Sequence, residues 1–242
     1  MFKKILIANR GEIAVRIVRE CRDMGIWTVV LYEASDRDSL HVRLADECVE
    51  LHSDLGYMDG AQIIEIARRT GAEAIHPGYG FLAEQPEFVA ACEEAGIAFV
   101  GPSSDVMRAV RMKIELLGRV KAAGFATTEH SSVSFRPHER ELYQAEAAAL
   151  GFPLLVKACS GGRGRATRLV RQPEALEKAV QQSGSEARVI FGDDSLYLER
   201  AILPANYVDV QILGDRHGNV IHLGERDGSI QRNNQKLVCE SP

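Results

Sequence analysis

The strongest constraint on this chain is an alternation of short apolar runs with amphipathic stretches along its N-terminal part. "KKILIA" (3–8), "WTVVLY" (27–32), "ECVEL" (47–51), "AEAIH" (72–76) and "IAFVG" (97–101) have the length and β-branched content of strands. After the first run, Ile13, Ala14, Ile17, Val18 and Cys21 recur at helical spacing while Arg16, Arg19 and Arg22 fall elsewhere. Helical patterns at 59–70 and 86–95 separate the later strands. Apolar strands joined by helices predict a parallel sheet covered on both faces, an α/β domain over residues 1–110.

After Pro102 the rhythm changes. Helices are predicted at 103–123 and 139–150 around the polar stretch "TTEHSSVSFRPH", and strands at 153–158 and 166–170 flank a glycine cluster. A helix at 174–187 precedes strands at 195–199, 207–214 and 219–225, the last two joined through "GDRHGN". Antiparallel strands among helices predict an α+β domain over residues 111–242.

Charge and cysteine usage narrow the function classes. With 29 Lys and Arg against 34 Asp and Glu, net charge −5, the chain has no global basic field for nucleic acid or an anionic membrane surface. Cys21, Cys48, Cys92, Cys159 and Cys239 are odd in number and form no C-x-x-C pair, which points to neither a disulfide framework nor zinc and fits a reducing cytoplasm. The seven histidines lack metal-ligand spacing, so no metal ligand is predicted. No segment reads as a membrane span, and the apolar run in "MFKKILIANRGE" is short for a secretory signal.

Four stretches could carry chemistry, each with a plainer reading beside it. "ILIANRGEIAVRI" is strand, turn and helix, and helix N-termini attract anions; the alternative is a βα corner in which Gly11 permits the turn and Arg10 and Glu12 sit in water. "IHPGYGFLAEQPEF" (75–88) puts His76, Pro77, Gly78, Tyr79 and Gly80 at a strand's carboxyl end, where open α/β sheets bind ligands; the alternative is a tight turn with a packed tyrosine. In "LLVKACSGGRGRATRLV" (154–170), Lys157 ends a strand and Gly161, Gly162 and Gly164 follow, an amide-rich loop able to wrap phosphate oxygens beside a point charge. It lacks the G-K-[ST] of a Walker loop, and a flexible hairpin kept soluble by arginines is the alternative. "GERDGSIQRNNQK" (224–236) packs Glu225, Arg226, Asp227, Arg232 and Lys236 just after a strand, and otherwise reads as a solvated loop.

Taken in order, "KILIANRGEIAVRI", "SDRDSLHVRLADE", "AIHPGYGFLAE", "GPSSDVMRAVRMK", "GFPLLVKACSGGRGRATRLV", "YLER" and "ERDGSIQRNNQK" resemble the biotin carboxylases, ATP-grasp components of acetyl-CoA, propionyl-CoA and pyruvate carboxylases. The resemblance implies a Rossmann-like pre-ATP-grasp domain (1–110), then a partial ATP-grasp domain (111–242) with a glycine-loop lid, truncated at its C-terminus. It implies an enzyme that converts ATP and bicarbonate to carboxyphosphate and carboxylates biotin on a carrier protein. A carboxyltransferase component would use the product, and a homodimer surface would lie near Arg16 and Arg19.

On that pattern Lys113 and Lys157 hold ATP phosphates, Gly161, Gly162 and Gly164 form the lid, and Glu199 lies at the adenine edge. Gln231 lies in the nucleotide-contacting segment, Lys236 orients bicarbonate, and Tyr79 with Gly80 walls the biotin ureido group.

The sequence also departs from the family. Ser160, Arg163, Ala166 and Thr167 interrupt its nearly unbroken glycine run, Val110, Arg111 and Met112 precede Lys113, Asn233 and Asn234 precede the last lysine, and Tyr207 replaces a histidine. Family members continue into a segment that carries the Mg²⁺-binding glutamates, the base for bicarbonate and an arginine at the biotin. The expectation is therefore either the N-terminal portion of a biotin carboxylase or a truncated, diverged, non-catalytic paralogue with at most weak nucleotide binding.

Overall fold

The computed structural model describes every residue except 112, 161–163, 216, 233–234 and 242. The chain divides into two compact units, Met1–Val110 and Arg111–Pro242.

In the first unit the predicted alternation becomes β1 (Lys4–Ile7), α1 (Gly11–Asp23), β2 (Trp27–Tyr32), α2 (Leu40–Leu44), β3 (Glu47–Glu50), α3 (Gly60–Thr70), β4 (Ala74–His76), α4 (Pro86–Glu94) and β5 (Ala98–Phe99). The five strands form one all-parallel sheet in the order β3-β2-β1-β4-β5. Successive side chains on a strand face opposite ways, so the two faces collect different residues. Ile5, Ile7, Val30 and Ala74 pack with Ala14, Ile17, Val18 and Cys21, the apolar stripe of α1. Leu6, Val29, Leu31 and Ile75 pack with Ile63, Ile64 and Ala67 of α3 and Val89 and Cys92 of α4. Local signals set the helix ends: the Asp59 carboxylate caps α3 by accepting from the Gln62 amide at 3.0 Å, and Gly71 ends it in the left-handed region. The five-residue α2 is too short to show a period.

Within the stretch predicted helical at 103–123, the described residues are helical as α5 (Ser104–Arg111) and α6 (Lys113–Ala122), with residue 112 outside the described residues. The second unit then carries α7 (Arg140–Leu150), β6 (Leu154–Ala158), β7 (Arg168–Val170), α8 (Leu176–Phe191) and β8 (Leu196–Arg200). Strands β7-β6-β8 form an antiparallel sheet. One face presents Leu154, Val156, Ala158, Leu196 and Leu198 to Tyr143 and Ala147 of α7 and to Val180 and Ala187 of α8. The polar stretch before α7 also joins the sheet at the outer edge of β8, because Phe135 and Leu196 exchange backbone hydrogen bonds, while the Ser131 amide donates to the Leu198 carbonyl and the Leu198 amide donates to the Ser131 hydroxyl. Two further antiparallel ribbons follow: β9 (Val208–Gly214) with β10 (Val220–Asp227), and β11 (Gln231–Arg232) with β12 (Gln235–Lys236).

Candidate functional site

In the first unit, strand order reverses between β1 and β4, the switch point at which open parallel sheets bind ligands. The two motifs read separately in the sequence meet there. Asn9, just past β1 and 1% exposed, donates from Nδ2 to the carbonyls of Pro77 (2.8 Å) and Tyr79 (2.9 Å), while its Oδ1 accepts from the Arg10 amide. Gly78 has φ +63, and a Cβ there would lie 2.6 Å from Asn9 Nδ2 and 2.7 Å from Ile13, so only glycine admits this approach. Gly80 (φ +78) turns the chain into a short 3₁₀ segment, Phe81–Glu84. Tyr79 is half-exposed and donates from its hydroxyl to Glu12 at 2.9 Å. Its ring is therefore not packed inside a tight turn.

Arg10 and Glu12 do not simply sit in water. Arg10 grips the buried Asp36 through Nε (2.6 Å) and Nη2, and this guanidinium contact holds the Asp36 carboxyl below its usual range despite burial. Beneath lies His41, fully buried, with Nε2 on the Leu31 carbonyl at 3.2 Å and burial pushing its pKa down. Sequence reasoning missed this cluster, since its members are polar residues scattered along 10–41 with no shared period.

In the second unit, the sheet face opposite the core carries Lys157, Tyr197 and Glu199. Register places Lys157 directly across from Tyr197, and Glu199 two residues on shares their face. Lys157 Nζ donates to Glu199 Oε1 at 2.8 Å, and the Tyr197 hydroxyl donates to Oε2 at 3.1 Å. The two charged side chains are 24% and 13% exposed, so the pair is screened by protein yet reachable. Lys113 lies on α6, and its amide donates to the Cys159 carbonyl at 3.5 Å, which brings this part of α6 to the end of β6.

The loop after β6 is held at both stems. Ser160 Oγ donates to Asp193 Oδ2 at 2.6 Å, and Ser195 donates to Oδ1 from its amide and hydroxyl. Burial pushes Asp193 up, but these hydrogen bonds hold it below the usual carboxylate range. On the far stem the Ala166 amide donates to Glu186 Oε1 (3.2 Å), and Arg168 holds the other oxygen at 2.9 Å. Gly164 has φ +70 and Ala166 φ +53, so one interruption of the glycine run occupies the region that glycine would favour. Gly161 and Gly162 lie outside the described residues.

Lys236 and Gln231 sit on the β9–β12 ribbons. Lys236 Nζ pairs with Asp209 and lies 4.4 Å from the Tyr207 ring centroid, while Arg226 holds the other Asp209 oxygen at 2.8 Å. The Asp209 contact raises the Lys236 pKa and keeps its charge. Gln231 Nε2 donates to the Gly228 carbonyl at 2.8 Å. Missed from sequence were Asn9, Tyr197, Asp193 and Asp209; Tyr197 alone had a usable signal, two residues before Glu199 in a strand. Among the described residues no group of three or more His, Cys, Asp or Glu is placed to hold a metal ion. No described helix is long and apolar enough to cross a membrane.

Comparison with known proteins draws these pieces together. The family described as biotin carboxylase, N-terminal domain, matches residues 1–107, and that described as carbamoyl-phosphate synthase L chain, ATP binding domain, matches residues 115–242. Biotin carboxylase 1 of Bacillus subtilis is 44% identical over 100% of this chain and 54% of its own length. The alpha subunit of methylcrotonoyl-CoA carboxylase from Dictyostelium discoideum is 42% identical over 99% of this chain and 34% of its own. A biotin carboxylase from Campylobacter jejuni, solved as a β-γ-ATP complex, superposes with TM-score 0.93 at 40% identity, covering 100% of this chain and 55% of that one. The biotin carboxylase domain dimer of Hydrogenobacter thermophilus 2-oxoglutarate carboxylase, solved with MgADP, ADP and bicarbonate, gives TM-score 0.93 at 43% identity over 99% of this chain and 53% of that one. The chain thus spans about half the length of the biotin carboxylases it matches. It belongs to the biotin carboxylase family, of which it carries the N-terminal domain and part of the ATP-grasp domain.

Proposed function

We propose that this chain grips ATP on the Lys157–Glu199 face and supplies the nucleotide-binding half of a biotin carboxylase that makes carboxyphosphate from ATP and bicarbonate and carboxylates carrier-borne biotin. The observation that carries the reading is the 2.8 Å pair of Lys157, on the strand that leads into the glycine loop, and Glu199 on the neighbouring strand β8. The Glu199 carboxylate acceptor complements the N6 amino donor on the adenine edge, where guanine offers the O6 acceptor instead. Lys113 on α6 joins Lys157 on the phosphates, and the loop carrying Gly161, Gly162 and Gly164 closes over them. Phosphoryl transfer is driven chiefly by positioning and by cations at the oxygens that gain charge, and closure protects carboxyphosphate from water.

Lys236, held charged by Asp209 and Tyr207, orients bicarbonate, with Gln231 in the nucleotide segment. Tyr79 and Gly80 at the switch point receive the biotin ureido group. The division at residue 110 separates the biotin-side domain from the ATP-grasp part. A homodimer forms as in the Hydrogenobacter relative, using the surface near Arg16 and Arg19, and a carboxyltransferase component takes the product.

The test is ADP release by the 242-residue chain with ATP, Mg²⁺, bicarbonate and free biotin. Biotin-dependent release supports the catalytic reading. A second reading, nucleotide binding without turnover, is favoured by the strained Ala166 in the loop and predicts heat from ATP with no biotin-dependent ADP. Absence of heat from ATP overturns both.

A further inference from the structure

We propose that Tyr197 is a positioning residue that sets nucleobase choice by holding the Glu199 carboxylate in a single orientation beside Lys157, an inference that rests on the nucleotide reading above. Tyr197 lies directly across from Lys157 and two residues before Glu199, so the three side chains leave the sheet on one face. Its hydroxyl bonds Glu199 Oε2 (3.1 Å), and Lys157 bonds Oε1 (2.8 Å).

The terminal torsion of a glutamate is broad and turns readily when only one oxygen is held. Here each oxygen has its own donor, which fixes the carboxylate plane and leaves each a lone pair for a ligand. Tyr197 is 1% exposed, and burial together with the Glu199 charge keeps its phenol protonated, so the hydroxyl stays a donor. A fixed carboxylate accepts from the adenine amino group and repels the guanine O6 acceptor. Free to turn, it satisfies itself on Lys157 and loses that discrimination.

The test is calorimetry on the full chain and its Tyr197→Phe variant, which keeps the ring and its packing, with ADP, GDP and inorganic pyrophosphate as titrants and thermal melting to check folding. Loss of one hydrogen bond to a charged group is expected to weaken ADP about tenfold, leaving pyrophosphate and GDP within about twofold. In a Glu199→Gln background the same substitution is expected to change nothing further. Unchanged ADP binding by Tyr197→Phe overturns the inference and leaves the nucleotide reading standing. Equal weakening of ADP and pyrophosphate makes Tyr197 a packing residue and also overturns it. No heat from wild type with ADP or ATP overturns the reading and this inference together.

Discussion

Asn9 reaches across the sheet from the end of β1 to the carbonyl of Tyr79 at the end of β4, a 2.9 Å hydrogen bond between residues 70 apart in sequence. It ties the turn that opens α1 to the loop after β4 that carries Tyr79 and Gly80. Both amide protons are committed, to Pro77 and to Tyr79, inside a buried site.

Asn9→Asp turns both donor contacts into acceptor facing acceptor. Leaving two buried carbonyls unpaired is expected to cost about 2–4 kcal/mol, read as a lower guanidinium midpoint. Gly80 amide exchange should speed up as the loop loosens, while the Gly164 amide in the other unit stays unchanged. A variant with wild-type stability and exchange would show that the staple is redundant.

Acid should weaken the first unit from about pH 6.5 downward. His41 is fully buried, and burial lowers its pKa below the usual 6.5, outweighing the pull of Asp36 and aided by Arg10. The folded state thus binds a proton less readily than the unfolded chain, so this stability is present above pH 6.5 and lost as pH falls through the lowered value. His76, depressed by burial and Arg16, acts with the same sign, and Asp36, held low by Arg10, stays ionised across this range. Denaturation midpoints at pH 7 and pH 5 should differ, and His41→Leu should shrink the difference, since the Tyr57 hydroxyl still satisfies the Leu31 carbonyl at 2.8 Å. An unchanged pH dependence in that variant would assign the effect elsewhere.

Lys157→Met strands the Glu199 carboxylate, 13% exposed, with Tyr197 as its remaining hydrogen-bond donor on that face. Half-buried pairs lose less than fully buried ones, so a destabilisation of about 1–3 kcal/mol is expected. Adding Glu199→Gln should recover part of it, giving a coupling of about 1 kcal/mol in a double-mutant cycle. Strict additivity would mean that the two charges do not feel one another.

Ala166 holds φ +53 and is 2% exposed, so two effects oppose on Ala166→Gly. Relief of left-handed strain, about 1–2 kcal/mol, is offset by loss of a buried methyl worth about 0.8 and by a more flexible unfolded chain. The variant should melt close to wild type. Ala166→Val adds β-branching at the same φ and should melt several degrees lower.

The five parallel strands and the helices between them were legible because burial on both faces writes itself as apolar runs and one helical stripe: Ile17, Val18 and Cys21 are in the core as their spacing predicts. The candidate site was legible as residue types and only partly as geometry. Lys157 and Glu199 were named for separate parts of a nucleotide, but their direct pairing needs the register of β6 on β8, which no local pattern encodes. The Arg10–Asp36 contact joins residues 26 apart, with α1 and β2 between them, a pairing that no local pattern reports. The stretch at 127–138 read as polar loop because most of its bonds to β8 are made by backbone, which side-chain pattern does not report.

The thiol of Cys159 closes β6 just before the glycine loop, fully shielded and with its pKa pushed up to about 12 by burial. Neither as a thiolate nor by access can it meet an alkylating reagent in the folded chain, whereas Cys48 and Cys239 lie at the surface. The protein therefore carries its own stopwatch: the rate at which this one sulfur becomes labelled, relative to the surface pair, times how often the end of β6 breathes open.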